Sequence, residues 1–438
     1  MPDFQVLNRF HKYDLVPGYG IPSSAYVHIP FCRRRCYYCD FPISVVGDSQ
    51  TGKNSGTIGQ YLEVLCQEIA VTPARGRPLE TIFFGGGTPS LLSVPQLERL
   101  LDVLDKRFGI AADAEISMEI DPGTIDLQQI KGYRASGVNR ISMGVQAFQD
   151  ELLQVCGRSH SVADIWASVE LISQVEVPHF SLDLISGLPY QSLEHWQESL
   201  EAAVAIAPSH ISSYDLIIEP VTAFGRQYQP GTQPLPTDDT AAAMYRLARQ
   251  ILTSAGYEHY EISNYAQLDH QCRHNRVYWE NRPYYAFGMG AASHIQGCRF
   301  TRPPTRREYY EWVQQLINLG GVWDCPQIPA EEVLLETLML GLRLADGLSL
   351  STLAEQFGEQ TLAQLWSCLQ PYHRQGWVEI VAAIDNSKPN PSPSPSPSPS
   401  PSSGYPQTLP PSARLRLTDP EGFLFSNTVL AALFSQLS

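Results

Sequence analysis

The sequence predicts an α/β chain: an incomplete parallel (β/α)6 barrel followed by a C-terminal domain of winged-helix-like order. Three observations predict it. Short apolar strand-like runs recur along the first half, with helix-period stretches between them. Polar and glycine-rich residues gather where those runs end, as they do at the active rim of parallel barrels. From about Ile328 the alternation stops, and helices lead into two strand-like runs. A doubly wound open sheet would satisfy the first observation equally well.

The strand-like runs are Ala25–Phe31, Thr81–Phe84, Glu115–Ile120, Val138–Val145, His179–Ile185 and His210–Ile217. Helical periodicity marks Tyr61–Ala70, Val94–Phe108, Ala163–Gln174, Leu193–Ala205 and Thr240–Ala255. The barrel is expected over residues 1–300 and a connecting segment over 301–327. In the C-terminal domain, 328–438, Pro329–Leu342, Leu350–Phe357 and Gln360–Leu369 read as helices, and Trp377–Ala383 and Ala413–Leu417 as strands. Between those strands lies a Pro-Ser tract, Asn386–Ser412, whose composition favours extended, solvated backbone. The tail beyond it is too short to fold alone. The tract therefore reads as an insertion in the tip of a hairpin, whose closure cost grows only logarithmically with length.

Composition narrows the function. A net charge of -15 argues against a polyanion partner, so nucleic acid is not expected despite the winged-helix-like order. No apolar run approaches the length of a membrane span, and the N-terminus has no signal-type apolar region, so a cytoplasmic location is expected. Nine cysteines in 438 residues do not make a disulfide framework. Six are scattered, but Cys32, Cys36 and Cys39 are spaced C-x3-C-x2-C within HIPFCRRRCYYCDF.

Three thiolates this close in sequence suit three corners of an iron–sulfur cluster. Zinc is the rival, with His28 as a fourth ligand, but no second paired motif accompanies the trio. Arg33, Arg34 and Arg35 read either as a solvated loop tip or as a landing patch for an acidic electron carrier such as flavodoxin or ferredoxin. Further along the rim, Gly85, Gly86 and Gly87 permit close backbone approach. Glu119 and Gln146 can bond hydroxyl groups. Arg158 can grip a carboxylate or form a surface ion pair. Asp183 can pair with an amine or cap its strand.

The spacing of the cysteines, the aromatic Tyr38 and the GGGTPS loop closely resemble the radical S-adenosylmethionine (SAM) superfamily. The resemblance implies a [4Fe–4S] cluster with one iron open to the amino acid end of SAM, within a barrel of the radical SAM type. YVHIPFC, FFGGGTPS, MEIDP, RISMGVQAF, GRSH, DLISGLP and LTDPEGFLFSN further resemble the oxygen-independent coproporphyrinogen III oxidase family. Carried over, Cys32, Cys36 and Cys39 would hold the cluster. Tyr26, Tyr38, Gly86, Gly87, Thr88, Glu119, Gln146, Arg158 and Asp183 would contact cluster or SAM.

Two branches of that family compete. Genuine oxidases carry another cysteine two positions after the third, where this chain has Phe41, and a longer N-terminal segment. The haem chaperone branch carries H-N-x-x-Y-W, present here as His274–Trp279. The resemblance therefore implies a chaperone that binds haem and passes it to an acceptor protein, with porphyrinogen decarboxylation as the alternative. His274 is a candidate axial ligand among aromatic neighbours, and Cys272 another. The plainer reading of His274–Trp279 is that it orders the loop after the barrel.

Overall fold

Six parallel strands form the centre of the sheet: β1 (Ser24–Ile29), β2 (Leu79–Gly86), β3 (Ile110–Ile120), β4 (Arg140–Gln146), β5 (His179–Ser186) and β6 (His210–Asp215). They lie side by side in chain order, each parallel to the next. This computed structural model describes residues 20–48, 52–322, 325–382 and 413–437. The sheet does not close. A short strand, Tyr285–Phe287, adds parallel to β1 at one edge; on the other side Asn264–Ala266 adds antiparallel to β6, with Glu258–Glu261 beyond it. An incomplete barrel is thus what forms, and the sheet order rules out the doubly wound alternative, in which the order would reverse partway.

Each crossover is built as its sequence dictates. The helix Val94–Phe108 begins with Ser93 and Gln96 in a reciprocal capping box and a proline in its first turn. Its Leu97, Leu100, Leu101 and Leu104 recur at helical spacing and are all buried. Helices Val162–Val175 and Leu193–Ile206 start with the same device, on Ser161 and Ser192. The helix Leu127–Ala135 escaped the sequence reading because it buries only Ile130 and Tyr133 and has a weak apolar stripe. It starts at Asp126, whose side chain accepts the Gln129 amide.

The chain separates into two compact units, the first running essentially through Ile328 and the second from Pro329 onward with two small pieces near 260 and 280. Residues 301–327 belong to the first. The helix Arg306–Asn318 buries Tyr309, Trp312, Val313 and Leu316, so the segment expected as a connector contributes apolar surface to the first unit's core.

In the second unit, helices Ala330–Gly341, Leu350–Phe357 and Glu359–Arg374 precede an antiparallel pair, Val378–Ala382 with Ala413–Leu417. A two-residue strand, Leu348–Ser349, joins the outer side of the latter and completes a winged-helix-like order. Ala382 pairs directly with Ala413. The Pro-Ser tract itself, 386–412, lies outside the described residues. The tail returns as two helices, Glu421–Leu424 and Ser426–Leu437, and the Phe425 ring stacks on Trp377 at 4.3 Å. Among the described residues no helix is long and apolar enough to cross a membrane.

Candidate functional site

The cysteine loop leaves β1 at the rim where the C-terminal strand ends meet. Phe31–Cys32 pairs with Ser44–Val45, which closes the loop at its base. The Cys39 amide donates to the Cys36 carbonyl, and the Tyr37 amide to Cys156. Arg35 reaches back over the loop to the carbonyls of Cys39, Phe41 and Ile43, and Arg33 to that of Gly123. Arg34 forms an exposed ion pair with Asp48. Two of the three arginines, Arg33 and Arg35, therefore hold the loop in shape, while Arg34 and Arg35 are both exposed.

All three cysteines are half-buried thiols outside any disulfide. Burial, with Asp121 nearby, pushes the Cys32 thiol far up, and burial pushes Cys39 up to about 11. Among the described residues no three His, Cys, Asp or Glu side chains converge to hold one metal ion. A four-iron cluster makes a different demand, because each thiolate takes a separate iron at its own corner. Three sulfurs spread along one braced loop fit that demand.

Arg158 is the hub beside this loop. It is not the surface ion pair that the sequence allowed: its side chain is 7% exposed. Its Nη2 donates to Asp121 and, at 2.8 Å, to the Gly144 carbonyl. Its Nη1 lies 3.4 Å from both the Cys36 sulfur and the Tyr38 hydroxyl. Asp121 also accepts from Thr88 at 2.9 Å. Asp121 thus ties the glycine loop to the cysteine loop, a role hidden in MEIDP because an Asp before Pro reads first as a turn residue.

The glycines have work within the chain. Gly86 has φ +111°, and a Cβ there would lie 2.3 Å from the His28 ring. One on Gly87 would lie 2.8 Å from the carbonyl oxygens of Ile29 and Phe31. They let the loop after β2 press against the end of β1. Gly87 and Thr88 then donate their amides to Ile29 and Phe31. His28 is bonded on both ring nitrogens, to the Tyr26 hydroxyl at 2.9 Å and the Pro42 carbonyl at 3.0 Å. The zinc reading asked this ring for a ligand; here it positions Tyr26 and braces the cysteine loop.

Behind the rim is a cavity of about 220 Å³. Tyr26, Gly86, Glu119 and Asp183 line it, together with Phe41 and Tyr278. Glu119 accepts the Gly86 amide at 2.9 Å, and burial pushes its carboxyl up to about 8, with Asp183 and Asp121 adding to the shift. It is a neutral acid near pH 7, able to donate as well as accept. Asp183 accepts from Ser142 and Ser181, and burial raises it too. Gln146, buried at the end of β4, has φ +70° at a register shift in the ladder with β5. A non-glycine residue held in that region is strained, a condition that gathers at functional sites. No sequence signal marks it.

His274 is placed differently from a ligand awaiting iron. It is fully buried; its Nδ1 meets the Thr81 hydroxyl at 2.7 Å and its Nε2 the Tyr278 hydroxyl at 2.8 Å. Its ring stacks on Phe83, and its amide donates to Glu115. Glu115 pairs in turn with buried Arg140. Cys272 is equally buried, with its sulfur 3.6 Å from Glu115. This geometry favours the loop-ordering role of His274–Trp279: both ring nitrogens are already engaged.

Residues 26–203 match the model of the radical SAM superfamily, and residues 328–383 that of the HemN C-terminal domain. The chain is 46% identical over 426 residues to the heme chaperone HemW of Synechocystis sp., covering 96% of this chain and 98% of that one. It is 35% identical over 360 residues to the heme chaperone HemW of Bacillus subtilis, covering 81% and 92%. Among solved structures, the radical SAM enzyme coproporphyrinogen III oxidase (HemN) of Escherichia coli aligns over 97% of this chain and 92% of that one. Its TM-score is 0.76 at 24% identity, a likeness of fold.

Proposed function

Because the chain belongs to the heme chaperone HemW family within the radical SAM superfamily, we propose that it holds a [4Fe–4S] cluster and SAM at the barrel rim, takes up haem, and passes it to an acceptor protein. The observation that carries this is the similarity to a heme chaperone over nearly the whole of both chains. Cys32, Cys36 and Cys39 would hold three irons. The cluster would supply an open iron for the amino acid end of SAM and a single electron beside its sulfonium.

The remaining residues prepare that place. Gly86, Gly87 and Thr88 fix the loop edge along which SAM would lie. Glu119 and Gln146 face it with groups that can bond ribose hydroxyls. Arg158, a cation beside the Cys36 sulfur, offsets negative charge gathered on the thiolates. Tyr26, Tyr38 and Asp183 close the rim by contacts already made within the chain. Phe41, 57% exposed, stands where the oxidase pattern has a further cysteine.

The test is one anaerobic reconstitution. Wild type and Cys66→Ala should carry about four irons and four sulfides per chain and bind SAM, whereas Cys36→Ala should lose the cluster. The same wild-type sample should bind haem and leave coproporphyrinogen III unconverted with SAM and reductant. A full cluster in Cys36→Ala would overturn the ligand assignment. Sustained turnover of porphyrinogen would overturn the chaperone function.

A further inference from the structure

The barrel cavity, about 220 Å³, is lined by Gly86 and Glu119, the residues that face SAM in the proposed function, so haem needs a place of its own. A larger cavity, about 400 Å³, lies elsewhere in the first unit. It sits between the hairpin Ala292–Ile295 and Cys298–Thr301, the helix Arg306–Asn318, and the turn after the helix Gly56–Val71.

Its chemistry is specific. Ile295, Phe300, Trp312 and Leu316 supply flat apolar wall. Cys298 and Cys325 lie together along it: the Cys298 sulfur is 3.3 Å from the Cys325 carbonyl, and the Cys325 sulfur 3.5 Å from that of Arg299. Both thiols are half-buried and outside any disulfide. The charged residues among the described lining are Arg75 and Arg302; no Asp or Glu joins them, in a chain whose net charge is -15. Arg302 is matched by Glu68 at 2.8 Å and lies over the rings of Phe300 and Trp312. Arg75 is half-buried at this cavity. Among the described lining residues, the side chains able to ligate iron are the thiols of Cys298 and Cys325.

We propose that this cavity is the haem site, with a thiolate of Cys298 or Cys325 as axial ligand and Arg75 facing a propionate. The assignment rests on the haem chaperone function and adds to it where haem sits. A planar apolar macrocycle suits the aromatic wall, iron takes a cysteine thiolate as axial ligand, and a propionate suits an arginine fork. On binding, the thiol proton passes to solvent and the iron–sulfur bond forms without change of oxidation state.

The experiment is a titration of the full chain with ferric haem, under argon, after reduction and removal of the reductant. Wild type should bind about one haem with the absorption and electron paramagnetic resonance of thiolate ligation. The double variant Cys298→Ser/Cys325→Ser should lose that signature and bind at least tenfold more weakly. Leu316→Trp, which fills the cavity without touching a thiol, should weaken binding similarly. Arg75→Gln should lower affinity for haem but not for its dimethyl ester. Cluster iron, sulfide and SAM binding should stay at wild-type levels in every variant, which separates site loss from unfolding. Wild-type affinity and spectrum in both the double variant and Leu316→Trp would overturn this assignment and leave the chaperone function standing. Failure of the wild type to bind haem at all would overturn the function itself.

Discussion

The side chains around His274 set a pH dependence whose sign follows from burial. Burial lowers His274 to about 4, and His28 and His160 also to about 4, against an ordinary 6.5. A histidine held neutral in the fold binds its proton more readily once unfolded. Its contribution is therefore fully present above about pH 6.5 and is lost as pH falls toward 4. For one such residue the span is worth on the order of 3 kcal/mol. His274→Gln should be less stable than wild type at pH 7 and lose less on acidification, so the gap between their urea midpoints should narrow between pH 6.5 and 4.5. A gap that widens there would show that His274 is charged in the fold. Individual residues were unevenly legible in the sequence. The cysteine trio and Glu119 announced themselves by spacing and by strand face. The strained backbone of Gln146, the bracing by Arg35 and the pairing of Asp121 with Arg158 did not, because each depends on which distant carbonyl or carboxylate the fold brings near.

At the scale of elements, Glu68 joins four of them. It sits fully buried on the helix Gly56–Val71 and accepts from the Gly288 amide after the edge strand, from Arg302 after the hairpin, and from the Tyr309 hydroxyl on the helix Arg306–Asn318. Removing its charge leaves a buried guanidinium without its counter-ion, a loss of about 3–5 kcal/mol. Glu68→Gln should lower the unfolding free energy by about that much in urea titrations, while Glu63→Gln, whose partner Arg99 is solvent-exposed, should change it by less than about 1 kcal/mol. Equal effects would deny Glu68 this joining role. Strands and long helices were legible because apolar periodicity reports directly on burial. The helix Leu127–Ala135 was not, since its stripe is short, and neither were the three-residue strands beside β1 and β6, whose pairing is decided by neighbours far along the chain.

For the whole molecule, the tail after the Pro-Ser tract is structural. Phe423, Val429, Leu430 and Leu433 are all buried in the second unit, and each such side chain is worth about 1.5–3 kcal/mol on burial. Deleting Pro420 onward should abolish the second unit's calorimetric transition, whereas replacing 386–412 with a short turn should leave it in place. A tail deletion with an unchanged melting profile would mean that the second unit is stable without those side chains. The fold class was readable from the alternation of patterns, because six repeats of one unit reinforce each other. What could not be read was which segment completes the sheet beside β1. That segment is Tyr285–Phe287, and its position has a consequence for synthesis. After Ile29 has left the ribosome, about 250 more residues must be made before that partner exists, roughly 13–50 s at about 5–20 residues per second. Throughout that interval the nascent first strand shows an unsatisfied edge, the kind that invites foreign strands to pair. The window closes once Phe287 has emerged, with the second unit from Pro329 onward still to be made, so a ribosome stalled before residue 285 would release a fragment with a barrel wall open to aggregation.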